Sequence, residues 1–289
     1  MFQTLNSPVE KLSITPFDNL FVKRDDLIDT FISGNKWRKL KYILAKAKRL
    51  HKPHLVTFGG AYSNHLLAIS AASAKSGLKC TAFVRGETVN NEILVLCRLY
   101  GSELIFVSRE DYKNKTKLFK NYFEHDRDAF FIDEGGASEE AVQGCAEIIS
   151  ELPTTYDHIF CAAGTGTTAA GLLHGINLAN LQTQLHIVNA LKNDEWLAEE
   201  IARYTIVNEK LIIHQNYHFG GYAKTTPELI DFIKRFVAST GMLLDPVYTA
   251  KMFYAIVDLQ AKGALHRSDK ILAIHTGGLL GLMGIKDRF

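Results

Sequence analysis

His158-Ile-Phe-Cys-Ala-Ala-Gly-Thr-Gly-Thr-Thr-Ala-Ala-Gly171 is the stretch on which the fold turns. Its apolar run, His158 to Ala162, reads as a buried strand, and 167–177 reads as the helix that follows. Between them, Gly164-Thr-Gly-Thr-Thr168 is a strand-to-helix loop rich in glycine and hydroxyls. Free backbone N–H groups and the helix dipole make such a loop an anion site. The loop also matches G-x-G-x-x-A, a dinucleotide fingerprint that calls for an acid about 20 residues later, at the end of the next strand. The next strand, 184–189, ends in Asn189, and the nearest acid, Asp194, is displaced into the following segment. The unit also sits in mid-chain rather than first. A compact phosphate group is therefore favoured over a dinucleotide, and over a glycine-rich cap that binds nothing.

Outward from this unit the same alternation continues. Strand-like runs at 21–24, 54–58, 79–85, 103–107, 129–132, 211–214 and 270–275 are interleaved with helical ones at 35–50, 65–76, 92–100, 111–124, 139–152, 227–239 and 248–261. Such alternation predicts parallel sheets with helices on both faces. The chain has 289 residues, which at roughly 150 per domain is about two domains. No Pro/Ser linker separates them, so the domains are expected to be interleaved.

Composition excludes several classes. Thirty-three basic and 31 acidic residues leave a net charge of +2, too little for a protein held to nucleic acid by phosphate neutralisation or to a membrane by a polybasic anchor. The 47% apolar content argues against disorder. Cys80, Cys97, Cys145 and Cys161 have neither CxxC nor Cys/His ligand spacing, so neither a disulfide framework nor a metal site is expected. Met1 to Leu12 lacks the pattern of a signal peptide, and no run of about 18 apolar residues suggests a membrane span. The expected compartment is the cytoplasm.

Two further loops could carry chemistry. Ser33-Gly-Asn-Lys36 opens a helix with a lysine in the first turn, where the dipole is unfavourable to a cation. Such a lysine could be an amine of depressed pKa suited to Schiff-base chemistry. The basic residues at 36, 38, 39, 41, 46, 48 and 49 also read as a solvated helix face, and position alone favours that reading. Ser63-Asn64-His65 joins a strand to a helix and could hold a carboxylate, with Ser63 moving a proton; an ordinary N-cap is the plainer alternative. A phosphate cradle, a lysine and a carboxylate cradle together are what pyridoxal phosphate and an amino acid would need.

Seven stretches then run in order over about residues 20–280: Lys23-Arg-Asp-Asp-Leu27, Gly34-Asn-Lys-Trp-Arg-Lys-Leu40, Ser63-Asn-His65, Asp133-Glu-Gly-Gly136, Gly164 to Gly171, Leu244-Asp-Pro-Val-Tyr-Thr-Ala-Lys251 and His275-Thr-Gly-Gly278. Through them the sequence resembles the D-cysteine desulfhydrase / 1-aminocyclopropane-1-carboxylate deaminase family of pyridoxal-phosphate enzymes. The resemblance implies an α/β, two-domain tryptophan synthase β-like fold (fold type II), with parallel-rich sheets flanked by helices. It implies a large cofactor-binding domain from 1–39 and 149–289, a small inserted domain at 40–148, and a homodimer. Lys36 would be the Schiff-base lysine. Lys39, Thr165, Gly166, Thr167 and Thr168 would hold the phosphate, and Asn64 the phenolic oxygen of the cofactor. Ser63, Asn64, His65 and Tyr222 would meet a small amino-acid substrate. Tyr248 would pack beside the cofactor ring and share catalysis with Lys36, Ser63 and Tyr222. No metal, nucleic acid or membrane partner is implied.

Thr249 stands where the deaminase branch has Glu to keep the pyridine nitrogen protonated, and Thr276 where it has Leu. Both hydroxyls resemble the desulfhydrase branch. A weaker electron sink suffices when thiolate leaves from the β-carbon, whereas opening a cyclopropane is harder. Tyr62 replaces a common Gln, Leu66 and Leu67 replace a polar or basic pair, and 220–227 is only loosely family-like. The cofactor site thus reads as kept and the substrate pocket as altered. The expected reaction is α,β-elimination, with D-cysteine going to pyruvate, sulfide and ammonia. The alternatives are deamination of 1-aminocyclopropane-1-carboxylate, racemisation or elimination on another β-substituted amino acid, an idle cofactor-binding protein, and a nicotinamide dehydrogenase.

Overall fold

Strands buried on both faces read as unbroken apolar runs, because helices cover each side of a parallel sheet. Leu55, Val56 and Phe58, and likewise Ile159, Phe160 and Cys161, are such runs and are inaccessible to solvent or nearly so. The computed structural model describes residues 6–14, 17–192 and 196–289. Asp194 and residues 1–5 of the N-terminal stretch lie outside them.

Two sheets organise the chain. In chain order the elements are β1 (Val9–Ile14), β2 (Phe17–Lys23), α1 (Asn35–Arg49), β3 (His54–Gly60), α2 (Asn64–Ser76), β4 (Lys79–Arg85) and α3 (Glu92–Leu99). Then come β5 (Glu103–Val107), α4 (Lys115–Phe123), β6 (Ala129–Phe131), α5 (Glu139–Ser150), β7 (His158–Ala163), α6 (Thr167–Leu178) and β8 (Gln184–Asn189). The remainder is α7 (Trp196–Ala202), β9 (Leu211–His214), α8 (Pro227–Thr240), α9 (Thr249–Ala261) and β10 (Ile271–Ile274). The larger sheet has the order β1-β2-β10-β7-β8-β9, and the smaller β5-β4-β3-β6. Every pairing is parallel except β1 with β2, an antiparallel edge. The α/β class and parallel-rich sheets are as expected. Features not anticipated are β1, α7, a 3-10 run at Leu279–Arg288, short 3-10 turns at Asp25–Leu27 and Glu134–Gly136, and a 3-10 turn (Asp111–Lys113) where the charged helix was expected to begin. At that break Asn114 accepts from the Lys117 amide and restarts the chain as α4.

Three helices stack closely because their contact faces carry glycine. A Cβ at Gly144 of α5 would lie 2.0 Å from the Arg38 carbonyl oxygen of α1, and one at Gly171 of α6 would lie 2.4 Å from Cys145 Cβ of α5. Behind α1, the fully buried Arg38 guanidinium pairs with Asp25 at 2.6 Å and with Glu151 at 2.7 Å. Lys23, also fully buried, reaches Glu151 at 2.9 Å, and the Ser7 hydroxyl donates to Asp25 at 2.6 Å. Buried charge is tolerated only when paired in this way.

Across β7, β8 and β9, three histidines form a ladder. His158 Nδ1 lies 3.0 Å from His186 Nε2, and His186 Nδ1 lies 2.9 Å from His214 Nε2. His158 Nε2 meets Asp269 at 3.2 Å, and His186 stacks on Phe160 at 4.3 Å. Burial, reinforced by its two neighbours, pushes the His186 imidazole down to about 3.

Two outcomes follow from these buried groups. Asp25→Ala leaves Arg38 short of a carboxylate and is expected to lower unfolding free energy at pH 7 by about 3–5 kcal/mol in denaturant titrations. His186 binds its proton more weakly folded than unfolded, so its contribution is whole above 6.5 and is lost as pH falls toward about 3. Acidification to about pH 5 should cost on the order of 2 kcal/mol through this group. His186→Gln should flatten that part of the pH–stability curve.

Candidate active site

Loops leaving the carboxyl ends of β3, β7 and β10 converge with the start of α1, as ligand loops of open parallel sheets do. Gly34, the residue before α1, has φ +62°, and a Cβ there would lie 1.8 Å from the Thr276 carbonyl oxygen. Only glycine permits that contact. The helix then begins with Asn35, whose amide donates to Thr168 Oγ1 at 2.9 Å, tying α1 to α6. Lys36 Nζ donates to Asn35 Oδ1 at 3.1 Å. Burial first, and then the charge on Lys39, push the Lys36 amine down to about 7.

Lys39, one turn on and on the same face, is buried and donates to the Gly135 carbonyl at 3.1 Å. Its amine is also lowered, chiefly by burial. Among the described residues neither lysine has an ion-pair partner. The solvated-face reading therefore holds only for Lys48 and Arg49, which are exposed. Arg38 and Lys39 are buried, and Lys41 and Lys46 pair with Glu147 and Glu140.

The two amines face the start of α6. Gly166 there has φ +77° and gives no side-chain cap, so the first N–H groups of the helix await an acceptor. Thr165 Oγ1 and Thr167 Oγ1 stand 3.4 Å apart at the rim. Gly135 closes the other side, where a Cβ would come within 3.1 Å of the Thr165 methyl. The half-buried Lys36 amine and the buried Lys39 amine, both without counter-charge, with an uncapped helix terminus and three hydroxyls, form a donor set that fits a dianionic phosphate. Leu197 of α7 backs Gly166, so a helix not read from the sequence forms the wall behind this cradle.

Ser63 caps α2: its Oγ accepts from the amides of His65 at 3.2 Å and Leu66 at 3.4 Å, which leaves its hydroxyl proton to donate. His65 is buried rather than open to the cleft. Its Nε2 lies 2.8 Å from Thr57 Oγ1, whose hydroxyl donates to Ile132 O, so Nε2 carries the proton. Nδ1 is left without a partner, 3.7 Å from where a Gly136 Cβ would be. Burial, with Lys36 and Lys39 nearby, holds this ring neutral. Leu66 and Leu67, the departures noted after Ser-Asn-His, are core residues of the smaller sheet's layer.

The opposite wall is the start of α9. Tyr248 lies against Gly164, where a Cβ would come within 3.1 Å of the phenol, and its ring centroid is 6.4 Å from that of Tyr222. Burial raises the Tyr248 phenol well above its usual range, so it stays protonated. Tyr222 is 43% exposed at the mouth. Thr249 is committed locally: its Oγ1 accepts from the Asp245 amide at 2.8 Å and donates to the Asp245 carbonyl at 3.3 Å.

Sequence reasoning passed over three residues here. Asn35 is one. Asp245 is the second, its carboxyl lifted to about 6 by burial. The third is Lys251, whose buried amine donates to the carbonyls of His218 at 2.8 Å and Gly221 at 2.9 Å and so anchors the loop bearing Tyr222. All three lie inside the quoted stretches. Tyr62 is 51% exposed and, with Asn91, Val95 and Met283, borders a cleft of about 680 Å³ beside the C-terminal 3-10 run.

Comparison with known proteins bears on the cofactor that such a donor set would hold. Residues 3–277 match the family profile described as pyridoxal-phosphate dependent enzyme. A putative 1-aminocyclopropane-1-carboxylate deaminase of Thermotoga maritima is 34% identical over 91% of this chain and 90% of its own length. The mitochondrial bifunctional D-cysteine desulfhydrase/1-aminocyclopropane-1-carboxylate deaminase of Arabidopsis thaliana is 30% identical over 96% of this chain and 77% of its own. A crystal structure described as an ACC deaminase homologue superposes with a TM-score of 0.81 at 32% identity, covering 93% of this chain and 87% of the other.

With its amine near 7, Lys36 is expected to react with an aldehyde at a rate that rises about tenfold per pH unit below 7 and levels off above it. Stopped-flow addition of pyridoxal phosphate to apoprotein measures this, and Lys36→Ala should abolish the visible band. Gly34→Ala, which forces the start of α1 off the Thr276 carbonyl, should also suppress the band, while Lys48→Ala should not change it.

Proposed function

The chain belongs to the pyridoxal-phosphate dependent enzymes, within the group that includes D-cysteine desulfhydrases and 1-aminocyclopropane-1-carboxylate deaminases, and we propose that it is a lyase performing α,β-elimination on a small amino acid, D-cysteine foremost. The balanced reaction is D-cysteine plus water to pyruvate, hydrogen sulfide and ammonia. Pyridoxal phosphate, when bound, supplies the electron sink for charge that develops at the substrate α-carbon.

Lys39 and the first turn of α6, with Thr165, Gly166, Thr167 and Thr168, hold the phosphate. Lys36, about half neutral at pH 7, is the nucleophile that binds the cofactor. When neutral, Lys36 Nζ would be the base that takes the substrate Cα proton. Ser63 donates its hydroxyl proton to the substrate carboxylate at the start of α2, whose dipole favours that anion. Asn64 holds the phenolic oxygen of the cofactor. His65, buried beneath the cleft, supports this turn rather than touching substrate. Tyr248 would pack beside the cofactor ring, and its protonated phenol, with that of Tyr222, could donate to the departing sulfur.

The observation that carries the choice of substrate is Thr249. No carboxylate follows Tyr248, and the Thr249 hydroxyl is occupied by the Asp245 backbone. Nothing at that position compels a proton onto the pyridine nitrogen, and elimination of a good leaving group tolerates the weaker sink. Deamination of 1-aminocyclopropane-1-carboxylate is the second reading, favoured by the name of the Thermotoga relative. The proposal extends to a homodimer in the cytoplasm, and to a small inserted domain at 40–148, on the family resemblance alone.

Sulfide and pyruvate released from D-cysteine, set against 2-oxobutyrate released from 1-aminocyclopropane-1-carboxylate, test the reading. Turnover of D-cysteine at least about tenfold faster is expected, and the reverse ranking overturns it. In either case Tyr248→Phe should lower kcat by about 10²-fold with a smaller change in KM, the size expected for one positioned acid.

A further inference from the structure

Asp245 has no part in the chemistry proposed above, yet its carboxylate is completely buried. Its two oxygens face different elements. Oδ1 accepts from the amides of Val247 and Tyr248, each at 2.7 Å, and so caps the turn that carries Tyr248. Oδ2 meets Asn64 Nδ2 of α2 at 3.3 Å. Backbone closes over that meeting point. A Cβ on Gly278 would lie 2.5 Å from Asn64 Nδ2 and 2.8 Å from Oδ2, and one on Gly281 would lie 2.9 Å from Oδ2.

A cap alone does not require an acid, since Ser or Asn serves as well. A buried carboxylate without an ion pair is costly, and among the described residues Asp245 forms none. Lys251 stands nearby, but its donors go to backbone carbonyls. The negative charge therefore answers to something else in the cleft.

We infer that Asp245 is a positioning residue with two effects: it turns the Asn64 amide N–H toward the cofactor, and it brings a negative charge to the Thr276–Gly278 turn against which the start of α1, with Lys36, is packed. The first effect follows from valence. Asn64 Nδ2 has two protons; Asp245 takes one and leaves the other for the phenolic oxygen. The second agrees with the direction in which Asp245 acts on Lys36, favouring its charged form. The inference rests on Lys36 as the cofactor lysine, and not on which amino acid is the substrate.

Other charged or titratable groups surround the pair. Lys39, Cys145 and Cys161 face Lys36, and His65 feels its charge. Lys251, Tyr222 and Tyr248 face Asp245, with Glu134 acting on both phenols. All of them remain in an Asp245 variant, where Lys251, Tyr222 and Tyr248 also lose the influence of its charge, so the comparison reports on the removal of that charge from the cleft.

The experiment is a pH titration of the visible band of the cofactor-loaded protein, without substrate. Asp245→Asn keeps the cap acceptor and removes the charge. The midpoint is expected to fall by about one pH unit, a tenfold weakening of proton affinity. Asp245→Ser, which also keeps an oxygen at the cap, carries the same expectation if Asp245→Asn does not fold. Cofactor dissociation constants supply the second readout. Asn64→Ala and Asp245→Asn should each weaken binding, and the double variant should be no weaker than the worse single one. A midpoint unmoved in the folded variant overturns the charge effect, and additive losses overturn the coupling to Asn64. Failure to turn over D-cysteine touches neither result. A wild-type protein without the band would remove both this inference and the Lys36 reading.

Discussion

The buried guanidinium of Arg38 fixes everything in front of it. Lys36 and Lys39 lie three residues apart and share one face of α1, and Arg38 leaves the helix from the other side. There it is gripped by Asp25 and Glu151, carboxylates from two distant parts of the chain. Gly144 lets α5 press on the Arg38 carbonyl itself. With its rear clamped this way, α1 cannot roll, and its two amines have to face α6.

Acids and bases are thereby sorted across one helix. Behind α1 every cation has its carboxylate. In front of it the half-buried Lys36 and the buried Lys39 stand without one, beside a helix terminus that glycine leaves uncapped. The imbalance is unfavourable for the empty protein and favourable for a doubly charged phosphate. The same desolvation that makes this pocket want an anion brings the Lys36 amine to neutrality near physiological pH. Phosphate affinity and amine reactivity thus have one physical origin.

Much of this was legible in the sequence, and the limits have physical reasons. The Gly-Thr loop could be read because glycine and hydroxyls between a strand and a helix have few other uses. Strand–helix alternation reported the class of fold. The seven basic residues of α1 could not be sorted, since paired, buried and solvated lysines look alike until the opposing carboxylates are placed. Asp25 and Glu151 are 126 residues apart, a pairing no local pattern reveals. Ser63 by itself read more readily as a cap than as a ligand, and in the structure its oxygen caps while its proton is spare. Asp245 was hidden because its meaning depends on Asn64, brought to it from the other sheet. β1 and α7 are short, lie at the margin of the larger sheet's layers, and lack a strong period. The run at 279–288 resolves into 3-10 turns whose glycines break any helical pattern.

The strand order of the larger sheet bears on how the chain is made. β10 lies between β2 and β7 and pairs with both. It is the last strand in chain order, while β2 is the second. A ribosome therefore releases the smaller sheet's strands, β7, β8 and β9 before the strand that joins the first hairpin to the rest exists outside the tunnel. Until then β2 and β7 both present unpaired edges, and the floor beneath Lys36 and Thr276 is in two pieces. The smaller sheet, contiguous from β3 to β6, is free to form before β10 is made, whereas the larger one closes only once β10 has emerged. Vectorial synthesis thus delays the assembled cleft, and with it a reactive amine, until Ile271–Ile274 has emerged.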